Sequence, residues 1–83
     1  MHIIILGEEC PECDEIEARV REALARLGKT AEIEHVYDIR EELQTFGVDR
    51  VPALVVDGTL VTQGEVPAVD AIVRMIEDAE YIA

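Results

Sequence analysis

The sequence has no tryptophan and only three aromatic residues, two tyrosines and one phenylalanine. So few aromatic side chains leave little to spare for binding, and Tyr37 and Phe46 are expected in or beside the core. No stretch approaches the ~20 consecutive apolar residues that a membrane-spanning helix needs. Residues 1–6 also lack the basic start and the small-residue cleavage site of a secretory signal. These absences predict a cytoplasmic protein.

Basic residues are scarce as well, with 7 lysines and arginines against 19 aspartates and glutamates, a formal charge of −12. This acidic balance argues against binding to nucleic acid or to anionic membrane surfaces. It also predicts a self-repelling surface and a monomer. Hydrophobic residues make up 49% of the chain, too many for a disordered protein. With 83 residues, the chain is expected to form one domain over residues 1–83.

The chain has two cysteines, Cys10 and Cys13, in the sequence C-P-E-C. They follow the aliphatic run 3–6 and precede a helical pattern, so the first sulfur is expected at a helix N-terminus. There the backbone N–H groups and the helix dipole favour thiolate over thiol. A disulfide across three residues closes too small a loop to stabilise a fold, and in the cytoplasm such disulfides are usually transient and catalytic. The pair therefore indicates redox chemistry.

Hydrophobic periodicity and turn residues predict the order β-α-β-α-β-β-α. Pro11 fits the first helical position, Gly28 fits the stop, and Asp57-Gly58 is a strong hairpin signal. Strands are expected at 2–6, 31–37, 53–56 and 59–62, and helices at 11–27, 38–46 and from Pro67 onward. This order indicates an α/β fold with a four-stranded mixed sheet and helices on both faces.

Three segments carry a resemblance to a known family: G-E-E-C-P-E-C at 7–13, F-G-V-D-R-V-P-A at 46–53 and V-D-G at 56–58. Over essentially the whole chain, this pattern resembles the small prokaryotic thioredoxin-like redox-active disulfide proteins, which have a minimal, glutaredoxin-sized thioredoxin fold. The resemblance implies a disulfide oxidoreductase in which Cys10 attacks and Cys13 resolves. It further implies that Pro52 follows a cis peptide bond and lies against the cysteine pair.

Val51 and Pro52 are the predicted substrate-binding residues. Proline at the first position of a strand removes no essential hydrogen-bond donor, and the N–H and C=O of Val51 would then be available to an extended substrate chain. The segment 62–65, T-Q-G-E, is a poor match to the glutathione pattern of glutaredoxins, and Glu8-Glu9 stand where thioredoxins carry tryptophan. The expected partners are therefore protein or peptide disulfides and an electron-donating reductase, with no bound cofactor.

Three residues around the pair are expected to modulate it. Pro11 fixes the geometry of the helix start, whereas Glu9 and Glu12 belong to an acidic run with no basic residue between positions 8 and 15. A helix terminus favours the thiolate by about 0.3–2 kcal/mol, and each exposed carboxylate opposes it by a few tenths. Because these terms are comparable, the pair is expected toward the reducing end of the known range, near or below about −230 mV.

Two other classes of function remain open. A CxxC also holds zinc or Cu(I), so the chain is alternatively a soft-metal binding or carrier protein. Against this, the sequence has no second CxxC and its two histidines, His2 and His35, lie far from the pair in sequence. The third class is a non-catalytic interaction domain that keeps the same fold.

Overall fold

A computed structural model of the protein describes residues 1–7, 11–37 and 44–82, with the main chain alone for residues 80–82. Four strands and two long helices occupy these ranges: β1 (His2–Leu6), α1 (Pro11–Leu27), β2 (Glu32–Val36), β3 (Ala53–Val56), β4 (Thr59–Gln63) and α2 (Val69–Ile82). Residues 44–46 are also helical. Most of the helix predicted from Asp38, its N-terminal cap included, lies outside the described residues.

The strands form one mixed sheet in the order β2-β1-β3-β4. β1 pairs in parallel with β2 and antiparallel with β3, and β3 pairs antiparallel with β4. The aliphatic run of β1 is therefore central, as a strand apolar on both faces requires. The predicted α/β fold with a four-stranded mixed sheet is confirmed, and it is the architecture of a minimal thioredoxin fold.

Both faces of the two central strands are buried. Alternate residues of β1 and β3, among them Ile3, Ile5 and Leu54, face one core together with the buried stripes of α1 and α2. The residues between them, such as Leu6 and Val55, face a second core that Phe46 and Val48 cover. Because both faces of these strands are buried, the sequences of β1 and β3 are continuous apolar runs rather than alternating apolar and polar residues.

Helix α1 begins and ends where the sequence predicts. Its buried residues recur at helical spacing from Cys13 to Leu24. At the C-terminus Gly28 adopts a φ of 66° and donates its N–H to the Ala25 carbonyl, while Lys29 donates to the Leu24 carbonyl. These are the two hydrogen bonds of a Schellman motif, which requires a left-handed residue that glycine supplies without strain.

Four sequence predictions differ from the structure in detail. Helix α2 begins at Val69 rather than at Pro67, although Pro67 is buried at its entry. Strand β2 is two residues shorter than predicted, and β4 continues one residue further, to Gln63. The placement of Tyr37 in or beside the core is wrong, since its side chain is 52% exposed. The reason is that β2 is an edge strand that ends at Val36, so Tyr37 leaves the sheet and stacks on the His35 ring at 4.4 Å.

None of the helices in the described ranges is long and apolar enough to cross a membrane.

Candidate active site at the end of β1

The described residues of the predicted site lie where β1 ends and α1 begins, and in front of β3. Pro11 and Glu12 are the first two residues of α1 and both are exposed, whereas Cys13 in the same turn is fully buried in the core between α1 and the sheet. The predicted attacking residue Cys10 and the modulating residue Glu9 lie outside the described residues. The described part of the site is thus built around the sulfur of Cys13.

Gly7 is the point at which the separate parts of this site meet. It is buried, it adopts a φ of 153°, and its N–H donates to the Val36 carbonyl at 3.0 Å. A Cβ atom at Gly7 would lie 2.9 Å from Cys13 Sγ, 3.7 Å from Pro52 Cα and 3.8 Å from Val51 Cβ. The sulfur and the Val51–Pro52 segment therefore approach one another across a position that has no side chain, and glycine is what permits this approach.

The segment in front of β3 has the form that the resemblance implies. The Val51–Pro52 peptide bond is cis, Pro52 is buried, and Val51 is 44% exposed. The Pro52 carbonyl accepts a hydrogen bond from the Gly64 N–H at 2.8 Å, which ties this segment to the end of β4. Within the described ranges no hydrogen bond occupies the main-chain N–H or C=O of Val51. Its peptide groups are thus free of intramolecular partners in this part of the chain.

A side-chain amide from β4 holds the loop that leads into this segment. The Oε1 atom of Gln63 accepts hydrogen bonds from the main-chain N–H groups of Asp49, at 2.7 Å, and of Arg50, at 3.1 Å. These two donors directly precede Val51 and Pro52. One acceptor therefore fixes the approach of the chain to the site, and the Gly64–Pro52 hydrogen bond fixes its departure into β3.

The first turns of α1 are acidic, but one carboxylate there is paired. Glu12, Asp14 and Glu15 are all exposed, and Glu15 forms an ion pair with Arg19 at 2.6 Å. Arg19 also donates to the main-chain carbonyls of Pro67, at 2.8 Å, and of Val66, at 3.3 Å. The guanidinium therefore offsets part of the acidity at the helix start and ties α1 to the loop between β4 and α2.

Other features of the described part do not add ligands or catalytic groups to the site. No group of three or more histidine, cysteine, aspartate and glutamate residues with metal-binding geometry occurs among the residues that the structure describes. A cavity of about 430 Å³ lies at the opposite end of β3, between Val56 and Met75, and contains none of the predicted site residues. Val51, the predicted substrate-binding residue, lies on an exposed part of the surface rather than in this cavity.

Three residues that the structure brings to the site have no role predicted from the sequence. Gly7 belongs to the family pattern, and a glycine directly after a buried strand can indicate a position where another part of the chain comes close to the main chain. No local sequence pattern predicts the roles of Gln63 and Arg19, because each forms hydrogen bonds to residues 13 to 48 positions away in the sequence. Such contacts follow from the hairpin and the helix packing, which local patterns do not describe.

A thiol on the first turn of a helix, facing a cis-proline segment across the end of a central strand, defines a thioredoxin-like class of site. Comparisons with known proteins agree with this class. The family model described as thioredoxin domain matches residues 1–77. A protein named thioredoxin from Methanothermobacter thermautotrophicus is 34% identical over 76 residues, which cover 92% of this chain and 97% of that protein. A second thioredoxin, from Methanocaldococcus jannaschii, is 34% identical over 70 residues, covering 84% of this chain and 79% of that protein. The chain therefore belongs to the thioredoxin domain family, a family of thiol–disulfide oxidoreductases, and resembles small thioredoxins of prokaryotes.

Proposed function

We propose that this chain, acting as one thioredoxin-like domain, reduces protein or peptide disulfides through a Cys10–Cys13 dithiol. The observation that carries the proposal is the meeting of the Cys13 sulfur with the Val51–Pro52 segment across Gly7. A disulfide that docks beside Val51 is then presented next to the cysteine pair. An electron-donating reductase would return the pair to the dithiol, so the proposed setting is a reducing compartment such as the cytoplasm.

The proposed reaction is thiol–disulfide exchange in two steps. The Cys10 thiolate attacks one sulfur of the substrate disulfide, forming a mixed disulfide and releasing the other substrate sulfur as a thiolate, which takes up a proton. Cys13 then loses its proton and attacks the Cys10 sulfur, which releases the second substrate thiol. The substrate gains two electrons and two protons, and the protein is left with a Cys10–Cys13 disulfide.

The described residues support different roles for the two thiols. Cys13 is fully buried, so a substrate disulfide would have little access to it, and a thiol only three residues away in the sequence is the partner expected to reach it. This favours Cys13 as the resolving thiol and assigns the attack to Cys10. Val51 would bind the substrate main chain in extended form, since its N–H and C=O have no partner within the described ranges.

The charges near the pair support a reducing rather than an oxidising protein. A low thiol pKa stabilises the reduced form and makes a pair more oxidising, and it requires positive charge or helix N–H groups beside the sulfur. The exposed carboxylates of Glu12 and Asp14 oppose that stabilisation, although Arg19 offsets the charge of Glu15. We expect a potential near or below about −230 mV.

The test is to trap the intermediate in metal-free protein. In the Cys13→Ser variant, a peptide disulfide should leave one peptide half bound to Cys10, observed as a mass increase that dithiothreitol reverses. The matched Cys10→Ser variant should form no such adduct, and the wild-type chain should release two peptide thiols per disulfide. Adduct formation in Cys10→Ser but not in Cys13→Ser would reverse the assigned roles. Protein that reacts with no disulfide, or whose thiols stay masked until a chelator removes metal, would favour the interaction-domain or metal-binding alternatives.

A further inference from the structure

Arg50 is placed directly against the proposed docking segment. It precedes Val51 in the chain, its side chain is exposed, and its main-chain N–H is held by Gln63 Oε1 at 3.1 Å. Its side chain lies over Gly64, where a Cβ atom would come within 3.2 Å of both Cβ and Nε of Arg50. Gly64 in turn donates to the Pro52 carbonyl. The stem of the arginine is thus held against the same stretch of main chain that supports Pro52.

The Arg50 guanidinium forms no ion pair within the described part of the protein. The arginines of α1, namely Arg19, Arg21 and Arg26, each form ion pairs with carboxylates at 2.6 to 3.4 Å. Among the described residues, no carboxylate lies within ion-pair distance of the Arg50 guanidinium, although the chain carries a formal charge of −12. Nearby Glu65 accepts a hydrogen bond from the Thr62 hydroxyl instead. A cation without a carboxylate partner in these ranges therefore lies beside the open edge of Val51.

We propose that Arg50 selects substrates that carry an acidic residue beside the reacting cystine. This rests on the proposed function and names the chemistry of its substrate. Arg50 and Val51 are consecutive exposed residues in front of β3, so their side chains would contact different positions of a docked chain. Val51 offers an apolar contact, and the planar guanidinium of Arg50 offers two parallel hydrogen bonds to one carboxylate.

The acidic start of α1 limits where such a carboxylate is accepted. Glu12 and Asp14 are exposed on the first turn of α1, the turn that carries Cys13, and repel negative charge there. The substrate fitted by this surface is therefore acidic where it passes Arg50 and neutral or basic where it faces α1. A uniformly acidic partner is disfavoured, because like charges placed opposite one another reduce both the association rate and the affinity.

The inference is tested with a set of peptide disulfides that differ only in carrying glutamate, glutamine or lysine at each of the two positions that flank the cysteine. Because an exposed ion pair is weak, kcat/KM of the wild-type chain should favour glutamate at one position by about two- to fivefold. Arg50→Gln should abolish that preference, and the preference should shrink as salt is raised. Arg50→Glu should favour lysine at the same position.

Two controls separate substrate selection from general effects. Arg74→Gln makes the same charge change at an exposed arginine of α2 and should keep the glutamate preference. With uncharged 2-hydroxyethyl disulfide, Arg50→Gln should lose less activity relative to wild type than it loses with the preferred glutamate peptide. A glutamate preference that persists in Arg50→Gln, that disappears equally in Arg74→Gln, or that is absent at every position would overturn the inference while leaving the proposed function intact. A wild-type chain that reduces none of the peptides would instead refute the proposed function, and this inference with it.

Discussion

Replacing Gly7 with alanine should damage the site more than any other single methyl group added to the described glycines. The new Cβ would lie 2.9 Å from Cys13 Sγ, closer than carbon and sulfur pack, and Cys13 is fully buried, with little room to turn away. In addition, a φ of 153° disfavours any residue with a Cβ. The backbone strain costs roughly 1–3 kcal/mol, and overpacking adds roughly 1–3 kcal/mol.

A double-mutant cycle separates these two costs. Denaturant unfolding of fully reduced protein should give Gly7→Ala a loss of roughly 2–6 kcal/mol, the sum of the two ranges. Adding Cys13→Ala removes the sulfur, so the Gly7→Ala cost should fall by about 1–3 kcal/mol in that background. Gly28→Ala is the matched control, because Gly28 has a φ of 66° and a Cβ added there would meet no atom within 4 Å. Its cost should be the same with or without the sulfur.

The same substitution should also slow the chemistry of the resolving thiol. If the methyl group displaces Cys13 Sγ, the mixed disulfide at Cys10 should persist longer in Gly7→Ala than in wild type, with its rate of formation little changed. Rapid-quench mass measurements follow both rates. An equal Gly7→Ala cost with and without the Cys13 sulfur, together with an unchanged resolution rate, would show that Gly7 does not act by making room for the sulfur.

Three further predictions concern the residues around the site. Gln63→Leu removes the acceptor of two main-chain N–H groups and should raise KM for peptide disulfides with little change in kcat. Gln63→Glu keeps an acceptor and should restore the wild-type KM. Equal KM values for the two variants would contradict this. Glu12→Gln removes an exposed negative charge near the pair and should lower the pKa of the Cys10 thiol, measured by the pH dependence of its alkylation; an unchanged or raised pKa would contradict it. Arg19→Met breaks hydrogen bonds to two carbonyls and should cost about 1–3 kcal/mol of unfolding free energy. The control Arg21→Met loses only an i,i+4 ion pair of about 0.5 kcal/mol. Equal losses in urea unfolding would show that the Arg19 hydrogen bonds to the loop between β4 and α2 do not stabilise the fold.

The parts of the fold that the sequence predicts best are those set by local patterns. The bounds of α1 follow from Pro11, Gly28 and a 3.6-residue apolar period, and the structure reproduces them. The Asp57-Gly58 turn is equally readable, since both residues adopt positive φ values, 48° and 84°, that these residue types tolerate. In each case the residue types that produce the local structure are adjacent in the sequence.

The contacts that support the site are less predictable, because they join distant elements. The position of Tyr37 depends on β2 being an edge strand, which is a property of the sheet order rather than of the alternation around Tyr37. The Gln63 hydrogen bonds similarly require β4 to extend one residue beyond its apolar pattern. The cis bond before Pro52 is implied by the family resemblance, and no property of the surrounding residues alone requires it.

We propose that Cys10 and Cys13 form a working dithiol–disulfide pair, and a redox titration of both thiols is the decisive experiment. Metal-free protein would be equilibrated in dithiol buffers of graded potential, and the two thiols would be counted by alkylation and mass. We expect one reversible two-electron transition near or below about −230 mV, with a tenfold change in the reduced-to-oxidised ratio for about every 30 mV. Two thiols that stay reduced at every potential between about −300 and −180 mV, or that never react because a metal holds them, would contradict it.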